Sequence, residues 1–341
     1  MLIDTYKRKI DYLRISVTDR CNLRCIYCMP ECGILQRAPS EMLTFEEITR
    51  IAKLGIGLGI NKIKITGGEP LVRKDLPKLL HSLSSLAGLK DLSLTTNGIL
   101  LQKYIRELKE TGLRRMNISI DTLDERKFRY ITRFGKLEDV LKGIDAALRH
   151  NFLIKLNVVI LKGLNDSEIL SFARFAQSRQ IIVRFIELMP MVNNSVLSQD
   201  LYMPCGQIQD RLSALGVLKP ILLEGLGNGP AEYYRIEEAS LIVGFISPIS
   251  CKFCFACNRL RLTADGLLMP CLGSKSGLDL KKPLRNNAEE KALNLLKRAI
   301  FLKPEGHNFI CLKRSDDLNR GFLTGQAFST QREYLMSQIG G

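Results

Sequence analysis

No tryptophan occurs in the 341 residues, and no segment interleaves basic with aromatic residues. That argues against the stacking platforms on which single-stranded nucleic acid is held. A long apolar run is also missing. The longest weakly polar stretch, Ala239 to Cys251, has 13 residues and includes Pro248, short of the ~20 that a membrane span needs. The opening MLIDTYKRKI lacks the apolar core of a signal peptide, so the chain is expected in the cytoplasm, without a membrane partner. Proline is sparse, at 12 residues, and hydrophobic residues reach 45%. Collagen-like repeats and disorder are thereby excluded.

What the sequence does have is positive charge and cysteine. The 50 Lys and Arg against 35 Asp and Glu leave a net +15. Such a surplus suits an acidic partner, either nucleic acid or a phosphorylated small molecule. The basic residues are scattered as singles and pairs, such as Lys62/Lys64 and Arg114/Arg115, with no long basic run. Ten cysteines lie at 21, 25, 28, 32, 205, 251, 254, 257, 271 and 311. Close groupings in a reducing compartment point to metal rather than to disulfides. Two metal sites are therefore expected.

Six β-branched, apolar stretches recur at Leu13–Val17, Ile63–Thr66, Leu92–Thr95, Met116–Ile120, Ile154–Ile160 and Ile182–Ile186. Helical periodicity fills the gaps, at a segment opened by Thr44 and Glu47 and at Asp75–Ala87, Leu100–Thr111, Leu137–Arg149 and Asp166–Arg179. Thr44 and Glu47 have the spacing of a capping box. Strands alternating with helices imply parallel βα units, and six fall short of the eight of a closed barrel. The expected fold is α/β, an open (βα)6 arc of the TIM type. After Met189 the rhythm breaks. The turn-rich Gly225–Pro230 reads as a joint, Tyr233–Ile246 as strand-like and the final ~70 residues as mainly helical. The expected division is a barrel over 1–224 and a C-terminal region over 225–341.

In α/β barrels, chemistry gathers at the carboxyl ends of the strands. There the sequence places Cys21-x3-Cys25-x2-Cys28, then Gly67-Gly68-Glu69-Pro70, Thr95-Thr96-Asn97-Gly98, Asn117–Asp121, Lys155 and Asn157, and Glu187 to Pro190. Three closely spaced thiolates can hold three irons of a [4Fe–4S] cube and leave the fourth iron open. A four-thiolate zinc site completed by Cys32 is the competing arrangement. The second group, Cys254-x2-Cys257-x13-Cys271, again supplies three ligands, with Cys251 as a possible fourth.

The C-x3-C-x2-C triplet with Tyr27 before its third cysteine, followed by GGEP, resembles the radical S-adenosylmethionine (radical SAM) superfamily. The stretches LRISVTDRCNLRCIYCMP, KITGGEPLVRKDL, LTTNG, RFIELMP, FCFACNRLRLTADGLLMPCL and the terminal IGG resemble, within it, the GTP 3′,8-cyclases of molybdenum cofactor biosynthesis. The likeness runs from about residue 5 to Gly341.

That resemblance implies an incomplete (βα)6 barrel with a C-terminal auxiliary-cluster region and a lyase that cyclises GTP. It implies two [4Fe–4S] clusters, one on Cys21, Cys25 and Cys28 and one on Cys254, Cys257 and Cys271. Tyr27, Gly68, Ser119 and Met189 would line the S-adenosylmethionine site. Arg14, Lys64, Thr95, Lys155, Arg259, Leu260 and Arg261 would contact GTP, with Arg184 and Lys62 as neighbours. Arg259 and Arg261 count among the catalytic residues with the first three cysteines. Gly340 and Gly341 would enter the barrel and order the substrate side.

The implied partners are GTP, a flavodoxin- or ferredoxin-like reductant, a downstream cyclic pyranopterin monophosphate synthase and a second copy in a homodimer; nucleic acid is not among them. Two departures stand out. The position of Lys64 is commonly arginine, and Met191–Pro220 lacks the family's tryptophan, so no role is carried into it. Cys32, Cys205, Cys251 and Cys311 have no role in the resemblance and read as buried small residues. A peptide-modifying radical SAM maturase and a zinc-stabilised nucleic-acid-binding protein are the alternative readings.

Overall fold

A computed structural model describes residues 2–35, 37–190, 200–223, 229–307, 309 and 338. Most of the Gly225–Pro230 joint, the Cys311 position and the Gly340–Gly341 tail lie outside the described residues.

The six expected strands are present, each within two residues of its expected ends: β1 (Tyr12–Ser16), β2 (Lys62–Thr66), β3 (Asp91–Thr96), β4 (Arg115–Ser119), β5 (Leu153–Ile160) and β6 (Ile182–Glu187). They pair in parallel in that order. Their outward side chains, among them Leu13, Ile15, Ile63, Ile65, Leu94, Met116, Leu156 and Val183, are buried in one continuous apolar core. The helices that cover them are α1 (Phe45–Leu58), α2 (Leu76–Ser84), α3 (Leu101–Glu110), α4 (Glu125–Thr132), α5 (Leu137–Arg149) and α6 (Ile169–Ser178). The capping box forms as expected: Glu47 N–H donates to Thr44 Oγ1 at 3.2 Å and Thr44 N–H donates to Glu47 Oε2 at 2.8 Å. Two helices were not anticipated, α4 and α7 (Cys205–Leu212). The first starts at Asp124, whose side chain accepts from Lys127 N–H.

Among the described residues, the six-stranded arc proves to be the middle of a 12-stranded sheet. Tyr233–Ile246, strand-like as expected, forms a hairpin of β8 (Glu232–Ile236) and β9 (Leu241–Ile246), with β7 (Leu218–Ile221) beyond it. β9 lies parallel to β6 and lengthens the arc on that side. On the other side β10 (Arg259–Leu262) lies parallel to β1, followed by β11 (Leu267–Met269) and β12 (Leu278–Asp279). Eight parallel strands thus curve together, and no pair joins β7 to β12 among the described residues. Helix in the last 70 residues is confined, among those described, mainly to α8 (Lys281–Arg285) and α9 (Glu289–Phe301). Arg285 Nε donates to Glu47 Oε1 at 2.7 Å, tying that end of the chain to α1.

Candidate active site

The inward face of the arc is polar. Side chains on a strand alternate between faces, so Arg14, Lys64, Ser93, Asn117, Lys155, Asn157, Arg184, Arg259 and Arg261 all turn away from the apolar core. They line, or lie just beneath, a cavity of about 290 Å³ at the carboxyl end of the strands. All six cysteines of the two groups reach this cavity, the first group from the loop after β1 and the second from around β10 and β11.

The first loop is held from three sides. Gly68 N–H donates to Thr18 O at 2.7 Å and Glu69 N–H to Arg20 O at 2.8 Å. A Cβ on Gly68 would fall 2.3 Å from Arg20 O, and one on Gly67 2.6 Å from Thr18 O. The glycines are thus needed because two backbones touch. The amides of Gly68 and Glu69 are spent on the cysteine loop. Glu69 accepts from Thr96 Oγ1 at 2.7 Å, Asn97 N–H at 2.6 Å and Leu71 N–H at 3.0 Å. Burial pushes its carboxyl up to about 7 despite those bonds. On the far side, Ile26 N–H donates to Ile131 O and Arg24 N–H to Thr132 O, both at 2.9 Å, at the end of α4. Tyr27 Oη donates to Asp121 Oδ2 at 2.6 Å. Burial raises the thiols of Cys21, to about 11, and of Cys25, whose neighbour Cys28 adds to the effect.

The second group sits among cations. Arg8 donates to Cys254 O at 2.8 Å, and Lys303 Nζ donates to Arg259 O at 2.8 Å and to Pro270 O at 2.9 Å. Burial alone would raise the Cys257 thiol, but Arg259 and Lys303 outweigh it and bring it down to about 6. That thiol is therefore mostly thiolate at neutral pH, the form that binds iron. Among the described residues, no three His, Cys, Asp or Glu side chains are arranged around a single ion. A [4Fe–4S] cube alternates iron and sulfide at its corners, so three cavity-facing thiols per group suit three of its four irons. Cys32 and Cys251 are exposed and do not line the cavity, contrary to the expectation of burial, whereas Cys205 is buried as expected. Neither exposed cysteine joins its neighbours as a fourth cavity-facing thiol.

Between the two cysteine groups runs a band of positive charge. In register, Arg14 lies beside Lys64 on one strand and Arg261 on the other, so their Cα atoms are only about 4.8 Å from neighbour to neighbour. Arg184 donates to Asn117 Oδ1 at 2.7 Å and Asn157 Oδ1 at 2.6 Å, and its Nε has no hydrogen-bond partner among the described residues. Burial draws Arg14 down to about 10, and burial followed by Arg14 holds the ammonium of Lys64 and the guanidinium of Arg261 well below their usual values. Crowded, desolvated cations of this kind match a polyanion such as a phosphate chain.

Thr95, Ser119, Tyr27, Gly68 and Met189 line the cavity as expected. Three expected contacts do not. Leu260 is wholly buried in the apolar core, because it falls between Arg259 and Arg261 on a strand and so faces the other way. Lys155 lies outside the cavity lining, with its ammonium 3.0 Å from Tyr233 Oη of β8. Lys62, at the opposite end of β2, pairs with Asp11 at 2.9 Å. Conversely Arg184, Glu69, Asp121, Asn157 and Lys303 line it without having been assigned firm roles.

The family model for the radical SAM superfamily matches residues 15–176, and that for Molybdenum Cofactor Synthesis C matches residues 181–309. A GTP 3′,8-cyclase of Thermodesulfovibrio yellowstonii is 47% identical over 307 residues, 89% of this chain and 94% of that one. One from Alkaliphilus oremlandii is 45% identical over 339 residues, 99% of each chain. Among solved structures, Streptococcus suis SuiB bound to S-adenosylmethionine superposes with a TM-score of 0.58 at 15% identity, over 88% of this chain and 71% of its own. That likeness is one of fold.

Proposed function

Because the chain belongs to the GTP 3′,8-cyclase family of the radical SAM superfamily, we infer that its cavity is where GTP becomes (8S)-3′,8-cyclo-7,8-dihydroguanosine 5′-triphosphate, the first step of molybdenum cofactor biosynthesis. One observation carries the residue assignment: both cysteine groups line a single cavity, with Arg14, Lys64, Arg184, Arg259 and Arg261 among its other walls.

In this reading Cys21, Cys25 and Cys28 hold one [4Fe–4S] cluster and Cys254, Cys257 and Cys271 the other. When bound, the first cluster and S-adenosylmethionine supply a 5′-deoxyadenosyl radical. Tyr27, Gly68, Ser119 and Met189 surround S-adenosylmethionine, and Asp121 fixes Tyr27 there. The arginines and Lys64 neutralise the triphosphate, and Thr95 borders the nucleotide. Cyclisation joins ribose C3′ to guanine C8 of one molecule, so the protein's task is to hold those two atoms close and keep water out. Fixed geometry of that kind supplies most of the rate advantage. The work divides along the chain into 1–224 and 225–341. The reading also requires a one-electron donor of flavodoxin or ferredoxin type and a cytoplasmic cyclic pyranopterin monophosphate synthase to consume the product. No helix among the described residues is long and apolar enough to cross a membrane.

Metal and sulfide analysis of anaerobically purified protein tests the assignment: two cubes require about eight irons with matching sulfide. Cys25→Ser should halve the iron and abolish 5′-deoxyadenosine formation while the second cluster persists. Two zincs without sulfide would sink the reading.

A further inference from the structure

Lys303 follows α9 and is 3% exposed. An ammonium carries three donors. One goes to Arg259 O at 2.8 Å and one to Pro270 O at 2.9 Å. The third faces the Cys257 side chain. Arg259 lies two residues beyond Cys257 and Pro270 immediately precedes Cys271, so one side chain bridges the segments that carry two of the three thiols. The neighbouring cation differs in kind. Arg8 reaches Cys254 O, but its Nε is paired with Asp4 Oδ2 at 2.6 Å, so its charge is already balanced. Among the described residues no carboxylate pairs with Lys303. Desolvating an ammonium without a counter-charge is costly. A thiolate at Cys257, which faces the ammonium, supplies such a counter-charge.

We propose that Lys303 is the positioning residue of the second cysteine group: its ammonium sets the spacing between the chain leaving Cys257 and the chain reaching Cys271, and its charge raises the reduction potential of the cluster they hold. The inference rests on the assignment of that cluster above. A positive charge beside the thiolates favours the reduced, more negative cluster, and its removal favours the oxidised one. A mere spacer would hold the ligands without moving the potential.

The test is a titration of anaerobically reconstituted full-length protein with dithionite and redox mediators, followed by electron paramagnetic resonance. The first cluster serves as the internal control. Lys303→Met keeps the length and removes the charge; Lys303→Arg keeps the charge. Lys303→Met should weaken reduction of the second cluster at least tenfold, about 59 mV for one electron, with the first cluster unmoved and Lys303→Arg near wild type. Loss of the second cluster from Lys303→Met, with Lys303→Arg retaining it at the wild-type potential, supports the same role. An unchanged potential in Lys303→Met, or equal loss of the cluster from both variants, overturns it. Wild-type protein with only about four irons instead defeats the cluster assignment itself, before any variant is compared.

Discussion

The Tyr27 hydroxyl donates to Asp121 Oδ2 at 2.6 Å, while Asp121 Oδ1 accepts from Val159 N–H at 2.9 Å. The middle of the first cysteine loop is thereby anchored to the ends of β4 and β5. Burial pushes the Asp121 carboxyl up to about 6 although both bonds pull it down, so at neutral pH it accepts from Tyr27 as a carboxylate. Tyr27→Phe should remove a charge-assisted bond worth about 1.5–3 kcal/mol. Iron content should stay at the wild-type value, and the KM for S-adenosylmethionine should rise in 5′-deoxyadenosine assays. An unaltered KM would show that the bond does not position the site.

Gly68→Ala is expected to act differently. The added methyl would meet the backbone oxygen of Arg20 at 2.3 Å, and a backbone neighbour cannot swing aside as a side chain can. The loop that begins with Cys21 must shift as a unit. We expect the variant to fold with a normal circular dichroism spectrum, to lose the first cluster and to keep the second. Full iron with wild-type S-adenosylmethionine cleavage would contradict the close approach.

The strand positions were legible because apolar residues recur along each of them, and the cysteine groups because their members are close in sequence. The polar interior was legible too. Lys62-Ile63-Lys64-Ile65, Arg115-Met116-Asn117-Ile118 and Arg259-Leu260-Arg261-Leu262 all alternate with period two, which separates an inward charged face from an outward apolar one. That alternation alone places Leu260 apart from its neighbours. The addition of β9 and β10 to the arc was not legible, since parallel pairing between distant segments leaves no local pattern. Glu69, Asp121 and Lys303 were missed as site residues for a related reason: each acts through partners fixed only by the folded chain.

Lys155 offers a pH test. Lysine ordinarily titrates near 10.5, and burial, then Arg184 and Arg115, draw this one down to about 7. Between those values the unfolded chain binds one proton more than the folded chain. Through this group, folding stability therefore rises with pH from 7 to 10.5, and below 7 the fold carries the whole burden of a buried ammonium. Lys155→Met should raise the melting temperature of ligand-free protein clearly at pH 6 and much less at pH 10. A gain that is the same at both values would mean that Lys155 is not titrating between them.

Arg259 and Arg261 sit two apart on β10 and both reach the cavity, beside the cysteines of the second group. They stand where a nucleotide bound near that group would place its phosphates or ribose. Loss of either guanidinium should cost about 1.5–3 kcal/mol of GTP binding, a drop of roughly 10- to 150-fold. Poor placement should matter more than weak binding, because a radical formed beside a misplaced ribose is quenched rather than passed to C8. Arg259→Ala and Arg261→Ala should therefore go on cleaving S-adenosylmethionine at saturating GTP while the yield of cyclised product per 5′-deoxyadenosine falls. The Arg261 variant should be the more severe, since that side chain is buried and lies in register with Arg14. If both variants convert GTP with wild-type coupling, the arginines do not position the substrate, and the band of charge between the two cysteine groups needs another explanation.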